Sequence, residues 1–114
     1  MAFLAVCATL VSGVSSGVFA HARVDSSVPA QKAVIAEAPA EVSFTFTNEI
    51  RLTRVDMTHA DAAAVPLDLG GQNSFARSFS LPLHNMGPGT YHIEWRGLAK
   101  DGHAMRGDLV FTVK

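Results

Sequence analysis

The chain has one cysteine, Cys7, in 114 residues. Past that position no disulfide can form, and no thiolate can hold a metal or attack a substrate. Charge of one sign is also missing: nine lysines and arginines stand against ten aspartates and glutamates, a formal net charge of −1. With no run of either sign, the sequence carries no footprint for nucleic acid or an anionic membrane, and neither partner is expected. Past residue 20 there is no glycine-rich phosphate loop, no GxSxG and no HExxH, so the common nucleotide, hydrolase and zincin signatures are absent. One tryptophan and one tyrosine provide no aromatic platform for a polymer. What remains for chemistry is histidine and carboxylate.

Residues 1–20 carry no charge, hold an apolar stretch from Ala2 to Val11 and end in the small-x-small pattern Val18-Phe19-Ala20. This is the pattern of a secretory signal peptide, cut after Ala20 and exporting residues 21–114 to an oxidising compartment. Ala20-His21-Ala22 offers a second site, after Ala22. A membrane anchor is disfavoured because Thr9, Ser12, Gly13, Ser15, Ser16 and Gly17 interrupt the apolar run. Cys7 leaves with the leader, and the remaining chain has room for one domain.

From Glu41 to Asn48, Val42, Phe44 and Phe46 alternate with Ser43, Thr45 and Thr47, the period of a strand with one buried face. Thr90 to Arg96 repeats the pattern, with Tyr91, Ile93 and Trp95 on the core side and His92, Glu94 and Arg96 facing out; Leu109, Phe111 and Val113 close the chain in the same way. Further strands are expected at Arg23–Ser27, Lys32–Ile35, Arg54–Thr58 and Ser74–Leu81, between turns such as Leu69-Gly70-Gly71-Gln72-Asn73 and Met86-Gly87-Pro88-Gly89. Only Ala33–Ala38 could be helical, ended by Pro39. The expected fold is all-β, a small Greek-key sandwich or barrel of about seven strands.

A cut after Ala20 makes His21 the first residue, with a free α-amine and an imidazole on one carbon. The amine nitrogen and ring Nδ1 close a six-membered chelate ring on one metal ion. Nitrogen-rich tetragonal sites favour Cu(II), which heads the divalent affinity series. A second candidate half is Lys100-Asp101-Gly102-His103. In an extended segment Asp101 and His103 would project to one side, with Gly102 adding no bulk between them. Amine, two imidazoles and a carboxylate then form an N3O set suited to Cu(II). The alternative is a turn in which Asp101 bonds nearby backbone amides.

His21, Val24-Asp25-Ser26-Ser27-Val28-Pro29, Phe44-Thr45-Phe46-Thr47-Asn48-Glu49, and Gly89-Thr90-Tyr91-His92-Ile93-Glu94-Trp95-Arg96 leading to Asp101-Gly102-His103 together resemble the CopC family of periplasmic copper-binding proteins. The resemblance implies a β-sandwich or barrel of immunoglobulin- or cupredoxin-like type. It implies one Cu(II) held by the N-terminal His amine and ring, an Asp and a second His, which carry over onto His21, Asp101 and His103. It also implies buffering, or transfer to an inner-membrane partner of the CopD type. A metal-bridged dimer is an alternative, but ligands at a chain terminus and a D-x-H segment suffice within one monomer, and the mature chain is not expected to insert into the membrane. Some members bind Cu(I) through a methionine-rich loop; here Met57, Met86 and Met105 are widely separated, so no distinct Cu(I) site is expected and the three read as core filler.

The remaining histidines, His59, His84 and His92, read as surface imidazoles and Trp95 as core. Arg51 and Arg54 read as solvated rather than partner-facing, and Glu49 and Asn48 receive no role. The leading expectation is a non-catalytic copper carrier or buffer. The alternatives are a copper-brace redox enzyme, which Asp101 would obstruct by filling the position oxygen needs, and an exported immunoglobulin-like interaction domain.

Overall fold

The computed structural model describes residues 24–114; Cys7, the leader and His21 lie outside them. The described residues form seven strands: β1 (Val24–Val28), β2 (Val34–Ile35), β3 (Glu41–His59), β4 (Val65–Pro66), β5 (Ala76–Pro82), β6 (Gly89–Ala99) and β7 (Ala104–Val113). The main path runs β1-β3-β6-β7-β2, with β4 and β5 also paired to β3.

β3 organises the molecule. Its first part, around Val42 to Thr45, is flanked by β1 and β5, and its second part, Ile50 to His59, by β6 and, near its end, by β4. The strand therefore passes from one layer of the curled sheet to the other, turning through the exposed residues Thr47, Asn48 and Glu49. The sequence predicts two strands here, because three successive polar residues interrupt the alternation. No Gly or Pro breaks the backbone, however, and both halves find partners, so it runs on as one strand.

A bulge at Thr53 and Arg54 changes the phase. Ile50 and Leu52 point inward, and the inward positions resume at Val55 and Met57. The extra residue keeps Arg54 out of the core, where strict alternation from Leu52 would have put it.

The core lies between the two layers. Phe46 packs edge-on against Trp95, with centroids 4.9 Å apart, and Tyr91 stacks on Phe111 at 5.0 Å. The Tyr91 hydroxyl donates to the Gly87 carbonyl at 2.8 Å and accepts from the Met86 amide at 3.0 Å. This ties the β5–β6 loop to the core. Trp95 lies opposite Gly107, where a Cβ would stand 2.6 Å from its ring. Its Nε1 is buried without a hydrogen-bond partner, a cost set against the large apolar burial of the indole.

No helix forms at Ala33–Ala38. Thr112 donates to the Ala33 carbonyl, Lys114 donates to that of Ile35, and β2 pairs in parallel with the end of β7. A six-residue segment is too short to stabilise a helix alone, and the sheet edge takes its backbone instead.

Candidate metal centre

Asp101 and His103 sit in the turn of the β6–β7 hairpin, not in an extended segment. The Gly102 amide donates to the Ala99 carbonyl and the Ala99 amide to that of His103, both at 2.9 Å. Gly102 adopts φ +90°, a left-handed conformation that favours glycine. The two side chains are brought together by this turn rather than by strand alternation, which corrects the extended geometry expected from the sequence.

One Asp101 oxygen accepts from the His103 amide at 3.1 Å, and the other lies 2.8 Å from His103 Nδ1. The carboxylate thus makes the backbone contact of an Asp turn and also fixes the imidazole. When Nδ1–H donates to Asp101, Nε2 keeps its lone pair for a metal, the arrangement by which a carboxylate orients a histidine ligand. Bonding from the His103 amide first, and from its ring second, holds the Asp101 carboxyl below its ordinary value. Both side chains are about two-thirds exposed, so incoming ligands can reach them.

Beside the turn, Lys100 Nζ lies 2.6 Å from the Glu49 carboxylate, and this hydrogen bond lowers the Glu49 pKa. The pair joins the bend of β3 to the hairpin, across an open depression of about 680 Å³ that also touches Asn48, Arg77 and Met105. The sequence reading assigned Glu49 no role. Lys100 stands next to Asp101, but nothing in the linear pattern places Glu49 beside it.

Among the described residues no group of three or more His, Cys, Asp or Glu side chains is arranged to hold a metal. Asp101 and His103 supply at most two protein ligands, and His21 lies outside the described residues.

The other histidines are separate from the hairpin. His92 is half-buried and pairs with Asp108 at 2.9 Å. His59 Nε2 lies 2.8 Å from the Pro88 carbonyl, with its ring edge-on to Tyr91, so it is a structural contact rather than a free surface imidazole. His84 is exposed in the loop after β5. Of the methionines, Met57 is fully buried and Met105 packs partly buried against the core, but Met86 is 43% exposed; the core-filler reading fails for that residue.

Residues 24–114 match the model of the CopC domain. The chain is 28% identical over 116 residues to copper resistance protein C of Escherichia coli, covering 92% of this chain and 90% of that protein. It is 28% identical over 107 residues to protein YobA of Escherichia coli K12, covering 89% and 85%. Among solved structures, CopC of Methylosinus trichosporium OB3b superposes with a TM-score of 0.69 at 21% identity, over 82% of this chain and 94% of that one, a likeness of fold. PcoC, a methionine-rich copper resistance protein of Escherichia coli, gives 0.58 at 28% identity, over 83% and 100%.

Proposed function

The chain belongs to the CopC family, and on that premise we propose that it is a periplasmic carrier or buffer of one Cu(II) ion, bound by His21, Asp101 and His103. Proteins of this family are non-enzymatic, and the proposed role is binding and transfer, with a CopD-type inner-membrane protein as the partner.

The observation that carries the reading is that the hairpin turn sets the Asp101 carboxylate 2.8 Å from the His103 ring, so that one ion can take a ligand from each once it displaces that contact. Reach supplies a second support. Val24 lies opposite Phe46, and Glu49, three residues further along β3, bonds Lys100 beside Asp101. His21 precedes Val24 by the same three residues, about 10 Å of extended chain. The proposal needs that span to carry the mature terminus to the hairpin. Its amine and ring would then complete an N3O set with His103 and a carboxylate oxygen of Asp101, hard and borderline donors suited to Cu(II) rather than Cu(I).

The test is mass analysis of the exported protein followed by Cu(II) titration with electron paramagnetic resonance on the same material. The reading expects a chain starting at His21 and a single tetragonal, nitrogen-rich signal saturating at one equivalent. A chain starting at Arg23, or weak heterogeneous binding, would overturn it.

A further inference from the structure

The register of β3, β6 and β7 builds a charged pattern on the outer face of the sheet that is invisible in the linear sequence. Arg54 lies opposite Arg96, and Arg96 opposite Arg106, so three arginines stand in one row across three strands. One step along, Asp56 lies opposite Glu94 and Glu94 opposite Asp108, a matching row of acids. Like charges directly opposed on neighbouring strands destabilise a sheet, and the bulge at Thr53 adds Arg54 to the row.

The two rows neutralise one another only at one end, which leaves Arg96 and Arg106 as the open part of the arginine row. Arg54 pairs with Asp56 at 2.8 Å and His92 takes Asp108. Arg96 and Arg106, both exposed, have no side-chain partner among the described residues, and they flank a shallow depression with Glu94 and Asp108.

The geometry points to a docking surface for a partner protein that presents a single file of carboxylates, of the kind one edge of an acidic helix displays. Neighbouring strands are about 4.8 Å apart, and helix residues spaced by three or four stand about 5–6 Å apart, so the two files match in pitch. The acidic row, about 7 Å away along the strands, selects against a broad anionic surface: a membrane or nucleic acid covering the arginines would also cover Glu94 and Asp108. Only two register pairs, Gly97 with Met105 and Leu98 with Ala104, separate the arginine row from the hairpin turn that carries Asp101 and His103. A protein seated on the row would therefore have the proposed copper ligands beside it. That last step rests on the copper reading, whereas the docking surface itself does not.

The test uses residues 21–114 and a fluorescein-labelled helical peptide bearing glutamates four residues apart on an alanine and glutamine background, with binding followed by fluorescence anisotropy at low and physiological salt. The double variant Arg96→Ser/Arg106→Ser should bind at least tenfold more weakly. Lys32→Asn/Lys114→Ser, which removes the same charge elsewhere, should bind within about twofold of the unaltered chain. The charge-reversed Arg96→Glu/Arg106→Glu protein should instead bind the peptide with lysines in place of the glutamates, which shows that the variant is folded and that the site reads charge. Equal weakening in both neutral variants would overturn the proposal. So would tighter binding to phosphatidylglycerol vesicles than to the peptide, or self-association in sedimentation that the arginine variant abolishes. Cu(II) titration of the same variants should be unchanged; absence of Cu(II) binding in the unaltered chain would refute the copper reading while leaving the peptide result standing.

Discussion

At the scale of the residue, Asp101 carries two jobs, closing the turn through the His103 amide and orienting the His103 ring. Asp101→Asn keeps the shape but loses the charge, and we expect Cu(II) affinity to fall about 10- to 100-fold, measured by competition with a chelator of known affinity. The pH dependence follows from which groups must lose protons. Because the Asp101 and Glu49 carboxyls are held below the ordinary carboxylate range by the bonds they accept, the stability they contribute is fully present above that range and is lost as pH falls through the lower folded values. Both therefore stay ionised at mildly acidic pH. The α-amine, ordinarily near 7.7–8.0, and the two imidazoles must instead be deprotonated to bind. Cu(II) affinity should thus fall steadily from about pH 8 to pH 5 while the hairpin contact persists; a flat affinity over that range would point to carboxylate-dominated binding elsewhere.

At the scale of the element, the hairpin depends on Gly102 at φ +90°. Gly102→Val forces a β-branched side chain into that conformation at a cost of about 1–3 kcal/mol, and should lower both thermal stability and Cu(II) affinity. Gly102→Asn should retain more of each, because Asn tolerates left-handed backbone better. Calorimetry and titration of the two variants would separate them; equal behaviour would show that the turn does not set the site. The strands were legible wherever period two was unbroken: Val42, Phe44 and Phe46, then Tyr91, Ile93 and Trp95, then Leu109, Phe111 and Val113 are all buried. Continuity of β3 was not legible, because Thr47–Glu49 and the bulge at Thr53 both break the alternation on which the reading depends. Asp101 and His103 were singled out from their chemistry, but the turn that joins them was only the alternative reading. Two-residue β2 falls inside the expected strand Lys32–Ile35, whereas two-residue β4 lies below the length at which any pattern can appear.

At the scale of the whole molecule, what the sequence could not reveal is what strand register creates. Arg54, Arg96 and Arg106 are separated in the chain, and only the pairing of β3, β6 and β7 lines them up. Glu49 meets Lys100 for the same reason. The frame that holds these alignments rests on close packing where the layers meet: Gly107→Ala would place a Cβ against the Trp95 ring and should cost about 1–3 kcal/mol, read as a lower denaturation midpoint with an unchanged slope.

On this frame the proposed site has two halves, a hairpin within the described fold and a chain terminus ahead of it. The most direct measurement is Cu(II) affinity for the chain beginning at His21 compared with one carrying a single extra alanine before it, which removes the free α-amine from the histidine but leaves Asp101 and His103 untouched. Loss of the tight, one-to-one tetragonal site in the extended chain is the predicted result; equal affinity and an unchanged spectrum in both would contradict it.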